Sequence, residues 1–326
     1  MKKDGPMGWI RLAKWAPLAL PLVVLGSMLA LNPALRVPST WDRIARNWTG
    51  EALLAAALTP IIVTGGIDLS VGSIVGLSAV MAGFLFRDAG LPIAFALSGC
   101  VLAGLLCGAL NGAVVLTGIN PLVVTLATLG VFRGLAYGIS GQRMVDGFPP
   151  GLEEWWEADS LWLPHPLWLI VLVFVIGYVF LHHTWMGRML FAMGDNIRAA
   201  RFAGVPIQSL KFSLYAASGL MAGIVGMTTV MKSLSAPPSQ GEEMELKAIA
   251  CVVLGGVRIT GGMGNVAGTL LGTLTLAALL EGMVWVPGEF RLLCTGSFLI
   301  AVAIANEALA RWRARTEIAL TGELKA

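Results

Sequence analysis

The chain has 326 residues, of which 56% are hydrophobic and only 13% charged, with a formal net charge of +3 and a mean hydropathy of +0.79. A soluble domain carries about a quarter charged residues to hydrate its surface, so this composition excludes an ordinary water-soluble fold and calls for a largely lipidic solvent. A bilayer-spanning helix takes roughly 20 apolar residues, which leaves room for about eight to eleven spans and for no separate soluble domain.

Ten apolar segments follow in chain order and predict an all-α, polytopic helical membrane protein. The first, near 16–34, comes after Lys2, Lys3, Arg11 and Lys14. That polarity suits a signal peptide, but no small-x-small cleavage site ends the run, so it reads as an uncleaved span. The second (51–64) stops at Gly65-Gly66, and the third, fourth and fifth cover 71–86, 91–117 and 121–140. A polar, tryptophan-rich stretch, 141–165, precedes the sixth at 166–183. The last four lie near 211–231, 247–257, 265–286 and 290–306. The second, third and eighth are short and broken by glycine, the pattern of half-helices. The predicted division is a cytoplasmic tail 1–15, one transmembrane domain 16–306, and a cytoplasmic tail 307–326.

Basic residues orient such a bundle, because Lys and Arg in short flanking loops stay on the cytoplasmic side. The N-terminal cluster and Arg311, Arg313, Arg315 and Lys325 place both ends in the cytoplasm, which requires an even number of spans; ten satisfies this. The loop 184–210, with Arg188, Arg198 and Arg201, then faces inward. Two acidic stretches fall outside: 141–165, with Asp146, Glu153, Glu154, Glu157 and Asp159, and 232–246, with Glu242, Glu243 and Glu245. Trp155, Trp156, Trp162 and Trp168 of the first read as interfacial anchors. Cys100, Cys107, Cys251 and Cys294 sit in apolar stretches without CxxC spacing and read as packing residues; His182 and His183 close an apolar run and read as interfacial.

Three polar constellations interrupt the apolar pattern. In Gly65-Gly66-Ile67-Asp68-Leu69-Ser70, two glycines end one helix and Asp68 or Ser70 can cap the next. Asp68 is either part of a capped turn or, as an intramembrane acid, a substrate or ion ligand. In Gly194-Asp195-Asn196-Ile197-Arg198-Ala199-Ala200-Arg201-Phe202-Ala203-Gly204, Asp195 or Asn196 can cap a helix of about two turns that Gly204 ends. Its small residues Ala199, Ala200 and Ala203 permit close approach to a soluble partner; the alternative is a loop held inside by its charges. The third runs from Gly241 through Glu242, Glu243 and Glu245 to Gly255-Gly256, Gly261-Gly262, Gly264 and Gly268, glycines that suit tight turns and close helix packing. Asn111, Asn120, Thr125, Thr128 and Arg133 are polar within apolar segments, and Glu281 is a further intramembrane acid. The Gly65–Ser70 stretch is echoed weakly by Gly255–Thr260, the spacing of an internal repeat or of two similar turns. Metal-ligand sets, nucleophile motifs and ATP-binding sequences do not occur.

Taken together, GGIDLSVGSIVGLSAV (65–80), INPLVVTLATLGVFRG (119–134), GDNIRAARFAGV (194–205) and ELKAIACVVLGGVRITGGMGNVAGTLLG (245–272) resemble the sugar-type permeases, membrane subunits of ribose-like ABC importers. The stretches 147–156 and 182–188 resemble the autoinducer-2 and rhamnose branch more closely. The resemblance implies a pair of permeases, identical or paralogous, two cytoplasmic ATPase subunits that carry the ATP and Mg, and a periplasmic sugar-binding protein. It implies no cofactor or metal on this chain, no nucleic acid, and residence in the bacterial inner membrane as a transporter subunit rather than an enzyme. It places the ATPase contact on Gly194, Asp195, Asn196, Arg198, Ala199, Ala200, Ala203 and Gly204. A translocation path would use Asp68, Ser70, Asn111, Asn120, Thr125, Thr128 or Arg133. Docking of the binding protein would use Glu153, Glu154, Glu157, Glu242, Glu243 and Glu245. The rival reading is an ion-coupled secondary transporter of a small polar solute, for which Asp68 and Glu281 are the available acids.

Overall fold

The computed structural model describes residues 21–30 and 32–283, with single positions at 19, 287, 290, 293, 296, 297, 300, 301 and 304. The basic tails therefore lie outside the described residues, as does Cys294, and of the tenth apolar segment only single positions are described. In chain order the helices are α1 (Pro21–Ala30), α2 (Pro38–Asn47), α3 (Thr49–Val63), α4 (Val71–Gly83, extended by a π turn Phe84–Asp88), α5 (Ile93–Leu116), α6 (Pro121–Ser140) and α7 (Gly151–Glu157). After a two-strand ribbon, β1 (Asp159–Ser160) with β2 (Leu163–Pro164), come α8 (His165–His183), α9 (Trp185–Asp195), α10 (Ile197–Phe202), α11 (Ile207–Ser233), α12 (Met244–Leu254) and α13 (Val266–Gly282). Among the described residues, five helices are long and apolar enough to cross a membrane: α4 with its π turn, α5, α6, α8 and α11.

The bundle is arranged around α11, which packs on α5, α4 and α3. Lipid-solvated helices gain little from apolar burial against one another, so they associate by close van der Waals fit, which small residues allow. Gly104 and Gly108 of α5 meet Gly219 and Gly223 of α11 backbone to backbone; a Cβ on Gly219 would lie 2.5–2.6 Å from Gly108 Cα and N. The α12–α13 hairpin closes the same way, Gly255 against Gly268 and Gly272 against the Cys251 carbonyl. Here the glycines serve the packing that the sequence suggests.

The eighth segment is a half-helix, and what precedes it is not an outer loop. From Ala236, bridged to Val145, the chain descends beside α4: Val145 lies on Gly83, the Pro238 and Gln240 carbonyls lie on Gly76, and Gly241 and Glu245 lie on Gly72. Gly83 to Gly72 is about 16 Å of helix, and this segment covers it as a short extended piece around Ala236 followed by consecutive turns over 238–243 before α12 starts. Residues 234–243 thus lie against α4 as non-helical backbone ahead of α12. Such backbone is tolerated at depth only when its polar groups are paired within protein, and glycine along α4 is what lets it come close.

Gly219→Leu forces side-chain atoms into the α5 backbone and is expected to cost about 1–3 kcal/mol or more. Gly134→Leu on α6, where nothing lies within 4 Å, leaves the protomer's melting temperature unchanged. Thermal unfolding of the two purified variants in detergent checks the contrast.

Candidate functional site

The break between α3 and α4 supplies the centre of the site. Gly65 turns the chain at φ +78°, and residues 66–70 run back into the bundle without helix hydrogen bonds. Asp68 at the tip is fully buried. Its Oδ1 accepts from the Ser70 N–H at 3.0 Å and the Ser70 hydroxyl at 2.6 Å, and its Oδ2 accepts from the Ser218 hydroxyl of α11 at 3.0 Å. Asn111 Nδ2 of α5 donates to Ser70 Oγ at 2.7 Å. Thr125 of α6 and Tyr215 of α11 donate to the Ile67 carbonyl at 3.4 and 3.3 Å. A buried carboxylate is costly unless hydrogen-bonded, and its own turn and α11 meet that demand, with Asn111 of α5 holding Ser70. The geometry is that of the turn reading: Asp68 accepts from Ser70 of its own turn and from Ser218, which ties that turn to α11. Asn111 Oδ1, equally buried, has no partner among the described residues.

A junction of glycines carries this turn to the opposite end of the chain's polar surface. Gly262 N–H donates to the Val63 carbonyl at 2.9 Å, and a Cβ on Gly261 would lie 2.8 Å from Gly65 N and 3.1 Å from Gly194 Cα. Gly194 packs on the Val63 carbonyl and on Gly262 N so closely that no side chain fits. Next to Gly194 begins α10. Asn196, not Asp195, is its N-cap, accepting from Arg198 and Ala199 N–H groups at 3.0 Å each, and Gly204 at φ +78° follows its end.

The faces of α10 differ from the expected one. Ala200 points into the protein and is 4% exposed, whereas Ala199 and Ala203 are open. A helix this short turns one side chain in four inward, and Ala200 takes that place. The outward face carries Arg198, Arg201 and Phe202, the last 93% exposed. Phe202 was not singled out from the sequence; a lone aromatic on a basic turn was the available signal.

The remaining sequence candidates separate. Asn120 is the exposed N-cap of α6, donated to by Leu122 N–H, and Thr128 bonds back to its own helix. Arg133 has a structural task, donating from Nη1 to both the Pro238 and Gln240 carbonyls at 2.7 Å. That pairing holds the descending segment. Of the acids that follow, Glu242 and Glu243 are exposed, Glu242 accepting from Tyr137 at 3.4 Å and Glu243 pairing with Lys247 at 3.8 Å, whereas Glu245 turns in against Gly72 and its Oε2 is buried without a partner among the described residues. Glu153, Glu154 and Glu157 of α7 are exposed, and Glu157 pairs with Arg46 at 3.3 Å. Glu281 pairs with Arg43 at 3.3 Å. Of the tryptophans, Trp156 is a core residue rather than an anchor, and His182 accepts the Val266 N–H at the start of α13 rather than facing an interface.

Broken helices meeting at a buried polar cluster, linked through close-packed turns to a basic helix on one face, define the membrane unit of a transport system. A family model described as the branched-chain amino acid transport system / permease component matches residues 44–303, and the chain belongs to that family. Its relatives include the autoinducer 2 import system permease protein LsrD of Photorhabdus laumondii, 37% identical over 263 residues (78% of this chain, 79% of the relative). The protein of the same name from Escherichia coli is 35% identical over 312 residues, 92% of each chain. No solved structure matches. The chain is a permease subunit of the sugar-type ABC importers, a multi-pass inner-membrane protein and a transport component rather than an enzyme.

Two substitutions probe the site. Asp68→Asn keeps an oxygen for Ser70 and leaves the fold intact, whereas Asp68→Leu strands buried donors at about 1–3 kcal/mol each; melting in detergent separates them. Arg133→Ala frees two carbonyls at depth and loosens the descending segment. A cysteine placed at the buried Ala236 is then labelled several-fold faster by a membrane-impermeant maleimide than in the Arg133 background.

Proposed function

We propose that this chain forms the translocation unit of an ATP-driven importer that passes a small sugar-like solute, of the ribose, rhamnose or autoinducer-2 class, from a periplasmic binding protein into the cytoplasm by alternating access. Two cytoplasmic ATPases dock on α10, and a second permease, identical or paralogous, completes the membrane part. ATP and Mg stay with the ATPases. The solute class follows the relatives, which are named for autoinducer 2 import.

The observation that carries this reading is the continuity from α10 to Asp68. The exposed basic face with Phe202 is contiguous with Gly194, which touches the Val63 and Gly262 backbones, and these touch the turn that holds Asp68. A push on α10 has no soft side chain to absorb it at that junction, since three backbones are in direct contact. It reaches the turn whose hydrogen bonds bind α5, α6 and α11 together. Packed elements of this kind shift between discrete arrangements rather than deform smoothly. An ATPase that draws the two α10 helices of a pair together would thereby bias the arrangement of the whole bundle. The acids of α7, on the outer face, offer negative charge to a basic patch on the binding protein.

Aromatic anchors dominate protein interfaces, where losing one costs about 2 kcal/mol or more. Phe202→Ala is therefore expected to reduce ATPase co-purification from native membranes by at least about tenfold while the permease still melts normally. Ala200→Trp, aimed inward, lowers the melting temperature instead. Mass spectrometry of the tagged wild-type pull-down identifies the partners; a chain recovered alone that still moves solute along an ion gradient would overturn the importer reading.

A further inference from the structure

A groove of about 700 Å³, within the range of ligand sites, lies between α2, α8 and α13 at the end of the bundle that carries the β1–β2 ribbon. It follows α8 from Leu167 to Phe174 and α13 from Leu270 to Ala277, about 10 Å of each helix. Its lining is apolar for most of that length. The charged side chains in it are Arg36 and Asp42, both exposed.

The ribbon beside the groove is built against local preference. Its two-residue turn, Leu161-Trp162, has φ +53° and +65°, where asparagine and glycine are the usual occupants. Bulky side chains are crowded in that region, and these two are 79% and 98% exposed, so no burial in the protomer offsets the strain. The turn is nevertheless pinned. Ser160 Oγ bonds His165 Nε2 at 2.7 Å, the Ser160 carbonyl accepts from Trp168 Nε1 at 3.1 Å, and Arg46 pairs with Asp159 at 2.7 Å. Strain that the surroundings hold in place points to a task for the residue, and Trp162 forms part of the groove wall. Tryptophan rings favour the level of the lipid head groups. Trp41, also in the wall, and Trp162 therefore mark where a lipid in this groove changes from chain to head.

The two charges select the head. Arg36 donates from Nε and Nη2 to the Leu29 and Ala30 carbonyls at the end of α1, which leaves Nη1 and the net charge for a phosphate oxygen. Asp42 has no ion pair among the described residues. A carboxylate beside a phosphate site repels an anionic head and favours an ammonium that has N–H groups to donate. We propose that this groove binds one phosphatidylethanolamine molecule, with an acyl chain between α8 and α13, the phosphate on Arg36 and the ammonium on Asp42. The Trp162 ring covers the junction of head and chain. The site is independent of the importer reading, since it needs only a lipid solvent.

Native mass spectrometry of the full-length permease tests it, after delipidation in detergent and titration with dioleoyl phosphatidylethanolamine or dioleoyl phosphatidylglycerol. The ethanolamine lipid is expected to bind as one saturable adduct, at least tenfold more tightly than the glycerol lipid. Asp42→Asn, at an exposed position, removes that preference. Leu274→Trp, which fills the groove, removes the adduct, and both variants keep the size-exclusion profile of the delipidated parent. Equal affinity for the two lipids is the behaviour of a non-selective lipid shell and overturns the site, as does an adduct unchanged in both variants. Trp162→Ser separates a lipid from a protein partner on the same rim. It should weaken the ethanolamine adduct several-fold; an unchanged adduct with reduced capture of a periplasmic binding protein would give the rim to that protein and overturn the lipid site.

Discussion

Placing one carboxylate inside a lipid-solvated bundle constrains nearly everything around it. Asp68 cannot reach water, so its oxygens must be answered by protein donors, and those donors come from its own turn and from α11, with Asn111 of α5 acting through Ser70. Three consequences follow. The α3–α4 connection must re-enter the bundle, which demands a glycine at positive φ where it turns. Helices α5 and α11 must stand close enough for Asn111 and Ser218 to meet the same turn, which the paired glycines of their contact provide. The inner turns must then close over the break, and they do so backbone on backbone through Gly65, Gly194 and Gly261-Gly262.

The second irregular element obeys the same rule by different means. The descending segment has backbone carbonyls at depth that no helix satisfies, and Arg133 answers two of them with one nitrogen. An arginine within the bundle is expensive by itself; here its donors are spent on groups that would otherwise be stranded. Two irregular segments, one organised by an acid and one by a base, thus lie beside α4. A transport protein gains from this arrangement, because hydrogen bonds between side chains and irregular backbone can be exchanged for others more readily than a continuous helix can be unwound.

Much of this was legible beforehand. Composition required a membrane solvent, the glycine pairs marked the breaks, and Asn196 and Gly204 bounded α10 through the chemistry of caps. Asp68, Ser70, Asn111 and Thr125 stood out because polar residues in apolar segments need a reason, but nothing in their spacing said that they meet. Ser218 and Tyr215 went unnoticed, since a serine and a tyrosine in a helix of ordinary polarity carry no pattern. Ala200 left the outward face expected for it and Phe202 stands there instead, because a two-turn helix leaves its facing undecided until it is packed.

The boundary between the two kinds of information follows from locality. Solvent, helix periods, caps and turns depend on residues near one another along the chain, and the sequence by itself determined them: a polytopic helical permease, interrupted at Gly65-Gly66, with a short basic helix capped by Asp195 or Asn196 and ended by Gly204. Which acids face outward, what Arg133 holds and where Trp156 lies depend on contacts between residues separated by many tens of positions. The stretch 232–246 shows the difference most clearly. It reads as an exposed loop, and Glu242 and Glu243 are exposed, yet the glycines of α4 and the guanidinium of Arg133 draw its backbone into the bundle, and only tertiary packing brings those partners together.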